Sequence, residues 1–202
     1  MRPLRLTLAL AASAALLAMA GCTSTDPAPL AAVTGPLCDL LPAGAEPGNP
    51  TAIAGQPVDA VLPWIPVLNT FEAAMRASDL LPELAGRPGI TVFAPSDDAF
   101  VAKFSQDNLD ELMIKDKDTL RTLLRAHVVD RPLDVAELRG AGSVTTLDGT
   151  TVPVTAVGEM ARIGDETQTV CADYRIANGR VHVVNHVLGT LPTTAGQGDS
   201  GH

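Results

Sequence analysis

The chain has 202 residues, 46% hydrophobic and only 3% aromatic, with 14 Lys and Arg against 23 Asp and Glu, for a formal net charge of −9. Nucleic-acid binding needs a basic stripe, often with stacking rings, and this sequence has neither. Acidity of this order serves solubility and opposes contact with an anionic membrane surface.

The N-terminus sets the compartment. Arg2 and Arg5 precede an apolar run from Leu6 to Met19, and Ala20-Gly21-Cys22 follows. This is the layout of a secretory signal with small residues before the cut. The run is too short to span a bilayer, which takes about 20 apolar residues. Gly21-Cys22 resembles a bacterial lipobox, in which the Cys is lipidated and becomes the new N-terminus. Met19 stands where that motif usually has Leu, and the alternative is an ordinary signal peptide with an incidental Cys. Two or more acyl chains make a stable anchor. The segment 22–37 then reads as a flexible, lipid-anchored linker, and 193–202 as a disordered tail, because both are short of large apolar residues.

Lipidation of Cys22 leaves Cys38 and Cys171. An even remainder in an exported chain points to a disulfide, with two free buried thiols as the alternative. Such a bridge would pin the Pro- and Gly-rich extension 38–57, which has little to hold itself against a core. No Cys-x-x-Cys occurs and the four His are scattered, so no metal site and no cofactor is expected.

Residues 58–86 read as helical, interrupted at Pro63 and Pro66. Val67, Leu68, Phe71, Ala74 and Met75 recur on one helix face, and Ser78 to Gly86 forms a short capped helix. Trp64, between the two prolines, is expected to pack half-buried. Ile90 to Ala94 is a strand that Pro95 ends. Ser96 is an N-cap, Asp97 and Asp98 lie in the first helical turn where the helix dipole favours acids, and Phe100 returns to the core. Leu109–Ile114 and Lys117–Ala126 are further helices, the second leading into a short strand at His127-Val-Val129. From residue 143 the period changes to two. Val144–Leu147 and Val152–Val157 form a hairpin around Asp148-Gly149, and strands follow at 160–163, 167–171, 173–177 and 180–188, with Asn178-Gly179 as a tight turn. Helices first and strands later make the fold class α+β in a single domain.

Three segments carry a resemblance: Thr91-Val-Phe-Ala-Pro-Ser-Asp-Asp-Ala-Phe100, Leu124-x-x-His127-Val-Val129, and Asn178-Gly-x-Val181-His-Val183 with Val187-Leu188. Together they resemble the signature boxes of the fasciclin domain, over 58–192. The resemblance implies a wedge of β-sheet strands with helices packed along the N-terminal half, and an extracellular adhesion and interaction module rather than an enzyme. It gives Phe93, Pro95, Ser96, Asp97, Phe100, His127, Asn178, Gly179 and His182 as structural motif residues. Gly35-Pro-Leu-Cys38 and Val170-Cys171 are also similar to the single-domain secreted and lipid-anchored fasciclin antigens of mycobacteria and their relatives, which supports the bridge.

Two positions depart from the family pattern. Ala126 replaces a Tyr linked to integrin adhesion in many animal members, and no Arg-Gly-Asp occurs, so that route is not expected. Asn185 replaces an Asp, with one buried polar interaction expected to weaken. His182 and His186, four apart on one expected strand, would share a face. Packing or exposure is expected there rather than a metal pair, and no nucleophile elbow accompanies any His.

The expected function is therefore a non-catalytic, monomeric lipoprotein on the outer face of the cytoplasmic membrane, contacting an unidentified surface protein or glycan. Fold analogy is its warrant. Two alternatives remain, a carrier of a hydrophobic small molecule or lipid and a hydrolase using His127. The second-box end and the helix before Thr91 are the expected places for a binding surface.

Overall fold

The computed structural model describes residues 33–196. Four short helices open it: α1 (Pro50–Ile53), α2 (Val58–Val61), α3 (Asn69–Ala77) and α4 (Leu81–Ala85). Pro63 and Pro66 sit in two 3-10 turns, Leu62–Trp64 and Pro66–Leu68, where a ring without an N–H breaks the α-helical ladder. Strand β1 (Ile90–Pro95) leads to α5 (Asp97–Lys103), α6 (Gln106–Ile114) and α7 (Lys117–Arg125). The remainder is β2 (Val128–Val129), α8 (Val135–Gly140), β3 (Ser143–Thr145), β4 (Thr151–Val157), β5 (Met160–Ile163), β6 (Thr167–Ile176) and β7 (Gly179–Val184).

The seven strands form one sheet in the order β2-β1-β7-β6-β5-β4-β3. The β1–β7 pair is parallel and the other pairs are antiparallel. Val129 also bridges Thr146, just beyond β3, so the two ends of the sheet meet and it curls into a nearly closed barrel. Alternation along the strands divides the core in two. Ile90, Val92, Ala94, Val181 and Val183 face the helices, against Phe71, Met75, Leu120 and Leu124. Phe93, Ala172 and Val184 face the inside of the curl, with Val144, Ile163 and Leu138 of α8. Truncating one of these fully buried leucines, such as Leu120 or Leu124, costs about 2–5 kcal/mol.

Cys38 and Cys171 are joined by a disulfide, with their Cα atoms 5.1 Å apart and a sequence separation of 133. It ties the N-terminal stretch to the middle of β6. The segment expected to be a flexible linker up to residue 37 is not free at its end. Thr34 pairs with Ala172, and the Leu37 N–H donates to the Val170 carbonyl at 2.9 Å. Gly35 permits this approach, because a Cβ there would collide with the Val170 carbonyl oxygen. The tail expected from residue 193 is likewise docked at its start. The Thr194 N–H donates to the Lys103 carbonyl at 2.8 Å, and its hydroxyl accepts from the Ser105 N–H at 3.0 Å.

Two strand expectations change. The runs at 167–171 and 173–177 are a single strand, β6, with register shifts at Thr169/Cys171 and Cys171/Tyr174. Strand β7 ends at Val184 rather than 188, because its parallel partner β1 ends at Pro95. A proline offers no N–H to extend the ladder. α8 carries no expectation from the pattern above, although Asp134 and Glu137 complete a capping box at its start.

Candidate functional site

The fold brings the three boxes together: β1 and β7 are adjacent, and His127 precedes β2 on the other side of β1. In the first box every residue of β1 is buried, and Ser96 caps α5 by accepting from the Ala99 N–H at 3.3 Å. Asp97 does more than complement its own helix. Its carboxylate accepts from the Thr70 N–H at 2.7 Å and the Asn69 side-chain amide at 3.0 Å, so it caps α3 from outside. Phe93 and Phe100 are fully interior. Phe93 lies against the His182 ring, with centroids 6.2 Å apart.

His127 is completely buried, and both ring nitrogens are occupied by backbone. The Leu188 N–H donates to Nε2 at 2.8 Å. That leaves Nδ1 as the protonated nitrogen, donating to the Leu123 carbonyl at 2.8 Å. The ring thus staples the end of α7 to the segment after β7. Burial pulls its pKa down to about 4, outweighing the Leu123 hydrogen bond that works the other way.

His182 repeats the device with the opposite tautomer. The Asp173 N–H donates to Nδ1 at 3.1 Å, and Nε2 donates to the Leu133 carbonyl at 2.9 Å. Burial lowers its pKa as well. Asp173 Oδ1 is 3.8 Å from Nδ1, but against a neutral ring this is no ion pair. An imidazole whose two nitrogens are both engaged has no lone pair or proton to offer a substrate.

The second-box turn is equally committed. The Asn178 side-chain amide donates to the carbonyls of Leu84 and Arg87 at 2.9 and 3.0 Å, fixing the end of α4. At Gly179 a Cβ would collide with the Ile90 carbonyl oxygen, so only glycine lets β7 enter alongside β1.

Sequence reasoning missed three residues of this scaffold. Asp173 sits at the β6 bulge with φ 76° and accepts from the Val135 N–H at 2.9 Å, capping α8. Asp is among the few residues that tolerate this conformation, which was the available signal. The Thr91 hydroxyl donates to the Arg131 carbonyl at 2.8 Å and accepts from the Leu133 N–H at 2.7 Å. Glu83 gathers Arg87, Arg121 and Arg125 at the α4–α7 contact. Burial alone would raise its carboxyl, yet the hydrogen bonds from these arginines hold it below the usual carboxylate range.

Other expectations resolve differently. Cys22 lies outside the described residues. Trp64, expected to pack half-buried, is exposed, with 48% of its surface open to solvent. Asn185 is exposed rather than in a buried polar contact, and its side-chain carbonyl accepts from the Gln168 N–H at 2.7 Å. His182 and His186 share no strand face, because β7 has ended before His186. His186 instead lines a cleft of about 260 Å³ with Lys103, Glu166, Thr167 and Thr193. A second hollow of about 280 Å³ lies beside the disulfide, lined by Cys38, Asn49, Asp173 and Arg175. Among the described residues, no three His, Cys, Asp or Glu side chains converge as a metal site would require. No described helix is long and apolar enough to cross a membrane.

Comparison with known proteins places this scaffold. The family model for the fasciclin domain matches residues 66–191. Protein sll1483 of Synechocystis is 31% identical over 120 residues, covering 59% of this chain and 66% of that protein. Transforming growth factor-beta-induced protein ig-h3 of Sus scrofa is 32% identical over 134 residues, 65% of this chain and 19% of its own length. Periostin of Homo sapiens is 30% identical over 131 residues, 64% and 15%. The chain thus spans about two thirds of the cyanobacterial protein and under a fifth of the two animal ones. Among solved structures, a FAS1 domain pair from the insect cell adhesion molecule fasciclin I matches at TM-score 0.44 and 24% identity, covering 59% of this chain and 44% of that one.

Proposed function

The chain belongs to the fasciclin domain family, and from that premise we propose that it is a non-catalytic recognition module of the cell envelope, mediating adhesion through contact with a surface protein or glycan. A lipid on Cys22 holds it at the outer face of the cytoplasmic membrane, and the domain occupies 58–192 behind the extension that the disulfide secures. The observation that carries the non-catalytic reading is the saturation of His127 and His182. All four ring nitrogens are engaged with backbone groups inside the protein.

Proximity labelling on intact cells tests the reading, with a soluble Cys22→Ala chain as control. Enrichment of a surface protein or glycan around the anchored chain is the expected result. Equal labelling by both chains would overturn the proposed envelope contact. The anchor is tested separately by fractionation, in which Cys22→Ala is expected to leave the membrane fraction. Retention there would remove lipidation as the tether.

A further inference from the structure

The stretch from Leu40 to Phe71 has a surface unlike the rest of this acidic chain. Glu46 and Asp59 are its only charged residues, and it contains no Lys or Arg. Leu41, Leu62 and Ile65 are buried as expected of apolar side chains, yet Leu40 is 75% exposed and Trp64 is exposed with it. The two belong to one surface. Leu40 lines a hollow of about 540 Å³ with Pro42, Pro47 and Pro66. Gly48, next to Pro47, packs directly on Trp64, since a Cβ there would lie 3.1 Å from the Trp64 Cβ. The charges lining the hollow are the exposed carboxylates of Asp39 and Glu46. The backbone beneath is held by four prolines, the Cys38–Cys171 bridge and the Asn49 cap of α1. An apolar surface fixed in this way loses little entropy when it is covered.

The path of the chain selects what covers it. Val33, where the described residues begin, lines a hollow with Pro42 and Ala43, and Pro42 also borders the hollow at Leu40. The chain therefore enters the domain beside the exposed patch. Lipidation of Cys22, as proposed above, puts a bilayer at the far end of a segment that reaches at most about 40 Å even when fully extended. The bilayer is thus the one occupant held permanently close to the patch, at high effective concentration. Tryptophan favours the boundary between lipid and water, where its ring is buried and its N–H stays wet. With no Lys or Arg in the stretch, the contact draws on apolar area and not on anionic headgroups. We propose that Leu40 and Trp64 dock the domain onto the bilayer that carries its lipid, so that it lies against the membrane surface and does not swing free on its tether. Docking of this kind presupposes the Cys22 anchor and is independent of the partner recognised.

Trp64 is the only tryptophan in the chain, so its fluorescence reads the contact without a label. The full chain, extracted from membranes in detergent, is reconstituted into phosphatidylcholine vesicles with and without brominated acyl chains. Flotation of the vesicles reads the anchor, and Trp64 emission reads the docking. The emission is expected at shorter wavelength than in the soluble Cys22→Ala chain, and brominated lipid is expected to quench it. Leu40→Asp, at a largely exposed position, should keep the parent thermal midpoint and move the equilibrium at least about tenfold towards the undocked state, reversing most of that shift. Added phosphatidylglycerol at low salt should weaken the contact, because Asp39 and Glu46 flank it; a stronger contact there would overturn its apolar basis. A chain that floats with Trp64 unshifted and unquenched would overturn the docking and leave the anchor standing. A chain that does not float would remove the anchor and the docking with it. Quenching unchanged in Leu40→Asp would overturn the assigned surface. A shift that fades as the chain is diluted in lipid, without quenching, would give the patch to a second copy of the chain. Loss of a proximity-labelled protein in Leu40→Asp, with Trp64 unquenched in the parent, would give it to a protein partner.

Discussion

His182 and His186 stand four residues apart, one inside β7 and one just past it, and their environments are opposite. The ring of His182 is fully buried and bonded at both nitrogens to backbone. The ring of His186 borders a cleft and has a shielded nitrogen with no partner. The first explains why that position is read by the family motif without being a site. The second sits where the motif ends, and where the ladder has lost its partner strand at Pro95. The framework holds the ring of His182 at both nitrogens and does not hold Nδ1 of His186.

The largest expected effect tests the scaffold half of that contrast. Gly179→Val places a side chain onto the Ile90 carbonyl oxygen in a parallel pair with no room to open. Chemical denaturation should show a loss of at least about 4 kcal/mol, or no folded protein. His127→Ala comes next. It leaves the Leu123 carbonyl and the Leu188 N–H without partners and opens a cavity, so about 3–5 kcal/mol should go.

The same ring makes a pH prediction. Its folded pKa is about 4, below the unfolded value near 6.5, so the unfolded chain binds the proton more readily. Its contribution is complete above the unfolded value and is lost as pH falls towards the folded one. The loss reaches about 3 kcal/mol near pH 4. His182 works in the same direction. Urea midpoints should therefore fall between about pH 7 and about pH 4.5 in the parent, and fall less steeply in His127→Gln.

A smaller effect is expected at the disulfide. Replacing Cys38 and Cys171 together by Ser should cost about 2–4 kcal/mol in a thermal melt, since the bridge closes a long loop. Smallest of all is His186→Ala, expected to stay within about 0.5 kcal/mol of the parent. A large destabilisation there would erase the contrast with His182.

Much of this fold was legible because the decisive signals are local. A β-branched run ended by Pro95 and capped by Ser96 specifies β1 and α5, and Asp148-Gly149 specifies the β3–β4 turn. What was not legible depends on partners distant in sequence. Asp97 reads as a residue of its own helix, but its contacts at Asn69 and Thr70 come from folding. The true end of β7 follows from the length of β1, which periodicity in β7 alone does not contain. The docking of residues 33–37 rests on Gly35 meeting β6. The cleft at His186 gathers residues from positions 99 to 193, and no spacing in the chain announces it.

The most direct measurement is the proton–nitrogen spectrum of the imidazoles in the folded chain at neutral pH. If the boxes are scaffold, His127 appears as the pure Nδ1–H tautomer and His182 as the pure Nε2–H tautomer, both neutral and both protected from exchange. A protonated ring, or one averaging between tautomers, at either position would mean that its nitrogens are not held by backbone, and the boxes would again be candidates for chemistry.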